Sequence, residues 1–436
     1  MIRALLTLLL FFAFLSHQGQ HQPAAAGKII TGAERTKTYL PYLQNKRVAV
    51  FANQTAVIGR THLVDSLLRL KVNVVKIFGP EHGFRGKADA GEHVANGIDT
   101  KTGIPVISLY GDHKKPSPAD LQGVDMLVFD VQDVGVRFYT FISTLQYVME
   151  AALENDIPLV ILDRPNPNGF YVDGPVLEPA FSSFVGMQPI PIVHGMTIGE
   201  YASMLMGERW LSEAAIKKLD AMAESNAEII QPPKNINTYI VGHIEGKPPV
   251  NNLKLSTFII PCLHYTHDQI YELPVNPSPN LKEMQSVYWY PSTCFFEGTV
   301  LSEGRGTDKP FQIFGHPNLP KHLFSFTPKP NEGAKNSKCF FQTCYGWNLS
   351  GTNEQVLAKT SGQIQLHYLL EAYRLFPGKD SFFLKNNFFN KLAGNDELMR
   401  QIKDGKTEKE IRKSWEPGLT QFMDIRKKYL LYPDFK

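Results

Sequence analysis

Short β-branched runs alternate with amphipathic segments through the first part of the chain. Arg47 to Ala52 is apolar on both faces between polar flanks, which predicts a buried strand. Leu63, Leu67, Leu68 and Leu70 follow Thr61 at near-helical spacing, and Val72 to Phe78 predicts a second strand that stops at Gly79-Pro80. Pro105 to Leu109 and Met126 to Phe129 predict two more strands, Phe141 to Asn155 a helix, and Leu159 to Leu162 a further strand. Strands rich in Val and Ile that alternate with helices predict an α/β fold, a mainly parallel sheet covered on both faces. Chemistry in such sheets gathers beyond the carboxyl ends of the strands. Those ends carry Asn53, Glu81-His82, Tyr110, Asp130 and Asp163.

The pattern changes in the second half. From about Gln231 to Pro291 the chain is rich in Pro, Asn and Tyr, and Pro274 to Asn280 is too proline-dense for a helix or central strand. That segment reads as a crossing between domains. A helical stretch from Gln355 to Phe376 and a basic, Phe-rich tail to Lys436 predict a smaller α+β domain. With 436 residues the chain exceeds the roughly 250–300 at which a single core stops growing. At the other end, Arg3 precedes an uncharged apolar run from Ala4 to Leu15, then polar residues and Ala24-Ala25-Ala26. The run falls short of the ~20 residues that span a bilayer, so residues 1–26 read as a secretory signal rather than an anchor. The expected organisation is a signal over 1–26, a doubly wound domain over 27–280 and a smaller domain over 281–436 that closes a cleft. Export through a signal places the chain outside the cytoplasm, in the periplasm, with no stable membrane insertion after cleavage.

Composition narrows the chemistry. The chain is 43% apolar and 20% charged with a net charge of +3, which excludes disorder, a multi-span membrane protein and a dedicated nucleic-acid binder. Four cysteines have no zinc spacing. Cys339 and Cys344 are the nearest pair for a disulfide, and sequence leaves the pairing open. No His-Glu-x-x-His, Gly-x-Ser-x-Gly or Gly-x-Gly-x-x-Gly pattern occurs, and the glycines from Gly79 to Gly86 with Lys87 fail the phosphate-loop spacing. No metal or nucleotide cofactor is expected, and an exported chain has poor access to ATP or NAD.

Acids, arginines and aromatics cluster instead. Gly79-Pro80-Glu81-His82-Gly83-Phe84-Arg85-Gly86 places an acid, a His and an Arg on a glycine-punctuated loop, and Glu92 follows. Two carboxylates beside one cleft suit acid–base or glycosidic chemistry; alternatively Glu81 caps a helix and Glu92 is solvated. The segment from Phe129 to Thr140 combines Asp130, Gln132, Asp133, Arg137 and Tyr139 directly after a strand. Polar groups interleaved with aromatics fit sugar hydroxyls and ring faces, or a buried network that ties strand to helix. Asp163, Arg164 and Asn166 repeat the pattern on a proline-stiffened loop. His194 lies just before a helix capped by Thr197 with Glu200 three residues on, and is a binding candidate. Glu297 and Arg305 sit on charged, Gly-rich loops of the second domain, where Arg305 completes the cleft wall or forms an interdomain salt bridge.

Gly79 to Gly86, Ala90 to Glu92, Ser108 to Gly111, Phe129 to Thr140, Asp163 to Pro167, His194 to Glu200, Pro277 to Asn280 and Ser302 to Thr307 together resemble the secreted bacterial exo-β-N-acetylmuramidases. The resemblance covers nearly the whole chain after residue 26. Asp173-Gly174-Pro175 stands where the family usually has Glu-Gly-Pro, and Tyr271 to Pro274 replaces a tryptophan-containing stretch. The resemblance implies a Rossmann-like doubly wound domain, a smaller second domain and a pocket between them. It implies release of N-acetylmuramic acid from the non-reducing end of peptidoglycan-derived muramyl saccharides, without a nucleotide cofactor.

On that expectation Glu81 and Glu92 share the acid and the base or nucleophile work. His82, Arg85, Asp130, Gln132, Asp133, Tyr139, Asp163, Asn166, His194, Asn280 and Glu297 are expected to bind substrate. Muramic acid carries a lactyl carboxylate, so an arginine clamp is expected. Arg85, Arg137, Arg164 and Arg305 are the candidates, with Arg137 or Arg164 favoured. The competing classes are a non-catalytic binder of peptidoglycan fragments and a periplasmic amidase or esterase.

Overall fold

The computed structural model describes residues 27–81, 83–84, 96–225 and 257–435. Strands β1 (Arg47–Ala52), β4 (Asn73–Gly79), β5 (Gly97–Ile98), β6 (Pro105–Ser108), β7 (Met126–Asp130), β8 (Leu159–Leu162) and β9 (Thr257–Ile260) form one sheet. A small hairpin, β2 (Val57–Ile58) and β3 (Thr61–His62), follows β1. The sheet order is β5-β6-β4-β1-β7-β8-β9, parallel except for the short edge strand β5. Successive side chains of a strand point to opposite faces, and here both faces are apolar. Ala49, Phe51, Leu127, Phe129, Leu159 and Ile161 pack on one side. Val48, Val50, Met126, Val128, Val160 and Leu162 pack on the other.

Helices α1 (Thr36–Leu43) and α2 (Leu63–Arg69) cover the second face. The first face takes α3 (Phe141–Glu154), α4 (Ile198–Gly207) and α5 (Glu213–Ser225), with α3 against both others. This is the expected doubly wound α/β architecture. Strand β9 lies in the stretch read as Pro-, Asn- and Tyr-rich, because Thr257-Phe258-Ile259-Ile260 is only four residues long.

A smaller C-terminal domain follows. It holds α6 (Met284–Thr293), an antiparallel sheet of β10 (Ile313–His316), β12 (Cys344–Asn348) and β11 (Phe324–Phe326), and helices α7 (Asn353–Thr360), α8 (His367–Leu375), α9 (Phe388–Ala393), α10 (Glu397–Lys403) and α11 (Glu408–Arg426). The helical stretch expected near Gln355 to Phe376 holds two helices. Ser361 adopts a left-handed conformation at φ 49° and ends α7. The tail after Phe376 is largely helical. The apolar cluster on the α3 side runs on without a break into residues 281–429, so the two domains share one core. No helix among the described residues is long and apolar enough to cross a membrane.

Candidate active site

All parallel strands end on one edge of the sheet, and Asn53, Glu81, Tyr110, Asp130 and Asp163 stand at or just past those ends. Glu81 follows β4 by two residues and is partly exposed. Its Oε1 accepts from the Tyr110 hydroxyl at 3.1 Å, and its Oε2 from the Thr140 hydroxyl at 3.2 Å. Tyr110 lies just past β6 and Thr140 caps α3, so three elements of the scaffold fix one carboxylate. The loop from Val131 to Thr140 is stiffened at Gly135, whose φ of +75° admits few other residues and where a Cβ would collide with the Asn166 amide.

A ladder of aromatic rings leads from Glu81 to the second domain. Tyr139 donates to the Pro277 carbonyl at 2.8 Å and meets Tyr290 of α6 edge-on at 6.0 Å. Tyr290 meets Phe311 at 4.9 Å, and the Arg305 guanidinium lies 5.0 Å over the Phe311 ring. Arg305 bonds Glu297 at 2.5 Å and Glu303 at 3.3 Å, while Lys338 holds the other Glu303 oxygen at 2.8 Å. Burial works against the Arg305 charge, but the two carboxylates raise its pKa above the ordinary value. Burial also works against an ionised Glu303, yet Lys338 and Arg305 hold its pKa below the usual range. The salt bridges of Arg305 thus lie within the second domain and not across the domain boundary, and its side chain stays partly exposed.

Several expected contact residues are buried in hydrogen-bond networks of the scaffold. Arg137 is fully buried. Its guanidinium donates to four carbonyls, of Pro175, Ile190, Leu392 and Ala393, at 2.7–2.9 Å. Arg164 is 2% exposed and grips Asp130 with two bonds of 2.6 and 2.8 Å, with a third to the Val57 carbonyl at 3.0 Å. Neither guanidinium, the two favoured for the substrate carboxylate, has a face open to solvent, and Asp130 is occupied with Arg164. A charge this deep must be neutralised or saturated with hydrogen bonds, which explains why both sit in closed networks.

Asp163 is likewise fully buried. It accepts from the Thr197 hydroxyl and the Gly199 N–H at the start of α4, both at 2.8 Å, and from the Tyr432 hydroxyl at 2.5 Å. Burial raises its pKa to about 6 despite these donors. Asn166 donates to the Met196 carbonyl at 2.8 Å and accepts from the Asn168 N–H at 2.8 Å. Asn280 donates to the Gly333 carbonyl at 2.6 Å and is 2% exposed. Gln132 ties Asp133 to Pro165 through its amide. These side chains brace the loops that carry the rim.

Asp133 and His194 form a buried pair, with Asp133 Oδ2 4.0 Å from His194 Nε2. Burial raises Asp133 to about 7 against the Gly135 and Val134 N–H groups, and lowers His194 to about 3 with help from the Arg426 and Arg137 charges. His82, Arg85 and Glu92 lie outside the described residues, as does the expected signal over 1–26.

Tyr110, Thr140, Tyr290, Glu303 and Lys338 join the neighbourhood without having been singled out as contacts. Tyr110 and Thr140 were visible as a strand end and a helix start. Tyr290, Glu303 and Lys338 depend on distant packing. A groove of about 370 Å³ beside α2 and the β2–β3 hairpin is lined by Gln54, Arg60, His62, Asp65, Arg69 and Lys101, among others. Gln54 joins it to the rim by donating to the Asn276 and Pro277 carbonyls.

Comparison with known proteins agrees with this architecture. The profile described as exo-β-N-acetylmuramidase NamZ, N-terminal, matches residues 48–285, and its C-terminal counterpart matches residues 288–432. The chain is 38% identical to the peptidoglycan β-N-acetylmuramidase NamZ of Bacillus subtilis (strain 168), over 99% of each chain. A crystal structure of a DUF1343 family protein from Bacteroides fragilis NCTC 9343 superposes with a TM-score of 0.77 at 43% identity, covering 93% of this chain and 99% of that one. A second DUF1343 structure from the same strain gives 0.69 at 27% identity with the same coverage. The chain thus belongs to the NamZ family of exo-β-N-acetylmuramidases.

Proposed function

We propose that Glu81 and Glu92 share the acid and the base or nucleophile roles in the glycoside hydrolysis that family membership gives this chain. The reaction releases N-acetylmuramic acid from the non-reducing end of peptidoglycan fragments. One carboxyl protonates the leaving oxygen while the other activates water or attacks the anomeric carbon. The observation that carries the assignment is the Glu81 carboxylate, held by Tyr110 and Thr140 at the carboxyl edge of the sheet. Its hydroxyl donors fix the orientation of the oxygens, and fixed geometry is where much of a rate enhancement originates.

Arg305 takes over the lactyl carboxylate. Its side chain keeps 16% exposure, against 2% for Arg164 and none for Arg137. Tyr139 and Tyr290 extend an aromatic wall between Glu81 and Arg305. The Arg60, Arg69 and Lys101 groove adds positive potential that draws an anionic fragment toward the rim. The hydrolase family weighs against a non-catalytic binder, which needs no such acid. Export by residues 1–26 to the periplasm is part of the proposal, and N-terminal sequencing of the mature protein tests it: a start near residue 27 supports it, and an intact Met1 rejects it.

Single Glu81→Gln and Glu92→Gln variants test the catalytic assignment. Release of muramic acid from a chromogenic muramide should fall by about 10²–10⁴-fold in each. Near-normal rates in both would remove the pair from the mechanism. A mass spectrum of a muramyl disaccharide after incubation separates hydrolysis from binding, since a binder leaves it whole.

A further inference from the structure

The loop between β11 and β12 carries chemistry that glycoside hydrolysis does not use. Cys339 and Cys344 flank an exposed turn over Phe341, Gln342 and Thr343. Cys339 is partly exposed, and Cys344 is buried as the first residue of β12. The turn folds back on itself, with the Gln342 N–H donating to the Cys339 carbonyl at 3.1 Å. That reversal sets the two thiols beside each other, with the Cys344 thiol donating to the Gln342 carbonyl at 3.8 Å. The Cys344 thiol, with the Lys338 charge, lowers the pKa of Cys339, while Cys344 is pushed up by the same contact and by burial. One sulfur is thus reachable and the more easily ionised, and the other waits behind it as a protonated thiol. Attack on a disulfide requires the thiolate and access.

We propose that Cys339 and Cys344 are a reversible dithiol–disulfide pair that fixes the loop carrying Lys338. Lys338 is next to Cys339 in the chain, and its ammonium bonds the Phe296 and Thr299 carbonyls at 2.7 and 3.0 Å besides Glu303. Glu303 in turn holds Arg305. Lys338 already keeps these bonds with both cysteines as free thiols, so the disulfide adds a covalent tie to the loop beside it without being needed to seat it.

The oxidant is a small or protein disulfide, RSSR. The Cys339 thiolate attacks one of its sulfurs, forming a mixed disulfide and expelling RS⁻. Cys344 sulfur then attacks Cys339 sulfur, forming the internal bond and expelling the second RS⁻. The two thiol protons go to the two expelled thiolates through solvent, so the dithiol and RSSR become the internal disulfide and two RSH. None of this depends on the glycosidase assignment.

The test treats the folded full-length protein with oxidised glutathione, quenches it, and alkylates it in denaturant. The chain has four cysteines, and Cys262 and Cys294 are buried. Wild type should take two alkyl groups, on Cys262 and Cys294, and its tryptic peptide starting at Cys339 should be two hydrogens lighter than after reduction. Reduced wild type should take four. Cys344→Ala should keep glutathione on Cys339, because no second thiol resolves the adduct. Four alkyl groups on the oxidised wild type would overturn the proposal. So would stable glutathione on Cys339 of the wild type, or none on the variant.

Discussion

The Tyr432 hydroxyl donates to Asp163 Oδ2 at 2.5 Å, across 269 positions of the chain. The same neighbourhood holds the C-terminal segment a second way: Glu200 accepts from the Leu431 N–H at 2.8 Å and lies 3.0 Å from His267 Nε2. The last residues thus close over the ends of β8 and β9, and the start of α4 shares Asp163 with them. Removing the hydroxyl in Tyr432→Phe leaves a buried carboxyl short of one donor. Stability should fall by about 1.5–3 kcal/mol, the range for hydrogen bonds to charged groups. Urea unfolding checks this, and an unchanged midpoint would show that Asp163 does not need the tail.

Arg137 gives a sharper contrast between bracing and binding. Arg137→Met strands four buried carbonyl acceptors, so a loss of more than about 2 kcal/mol is expected. What turnover survives should drop equally on muramide and glucosaminide substrates. A loss confined to muramides would return Arg137 to the role of carboxylate clamp.

Arg305 is expected to behave oppositely. Arg305→Gln should raise KM for muramides by about tenfold or more, as loss of a charge-assisted bond of about 1.5–3 kcal/mol implies. Glucosaminide hydrolysis, already lacking the carboxylate, should change little. Equal losses on the two sugars would exclude Arg305 as the selective partner.

The Arg60 and Arg69 groove acts at longer range. An Arg60→Gln, Arg69→Gln double variant should bind anionic fragments more weakly at low salt and match wild type at high salt, because exposed charges are screened beyond about 10 Å at 0.1 M. Its kcat should stay near the wild-type value. A defect that persists unchanged in high salt would mean direct contact rather than attraction.

Asp133 and His194 set opposing pH dependences. Asp133 rises from 3.8 to about 7, so between those values the folded protein keeps a proton that the unfolded chain has released, and stability falls as pH rises. His194 falls from 6.5 to about 3, so between those values the unfolded chain holds the extra proton, and stability rises with pH. Asp133→Asn removes only the first slope. Its stability relative to wild type should climb by up to roughly 1.4 kcal/mol per pH unit between about pH 4 and 6.5. His194→Gln should decline relative to wild type over the same interval. Parallel curves for all three proteins would mean that neither group is shifted.

The doubly wound half was legible because Val- and Ile-rich runs such as Arg47–Ala52 and Leu159–Leu162 are set between turn residues, and each marks its own carboxyl end. What those ends do was less legible. Asp130 and Asp163 look alike in sequence, but one is consumed by Arg164 and the other by Tyr432. An acid that faces a cleft differs from one that caps a helix only through such distant partners. Helix α6 was missed because Pro291 lies inside it, in its last turn, and reads in sequence as a helix breaker. The break at Ser361 was missed because a left-handed serine leaves no pattern in hydropathy.

The four carbonyls gathered by Arg137 come from two places, Pro175 and Ile190 on one side and Leu392 and Ala393 at the end of α9 on the other. A buried cation clasping main chain from both halves works as a rivet, since prising them apart would expose a bare charge to a low-dielectric gap. The two halves are therefore fixed against each other through main-chain acceptors, and the rim loops they carry inherit their spacing from that joint.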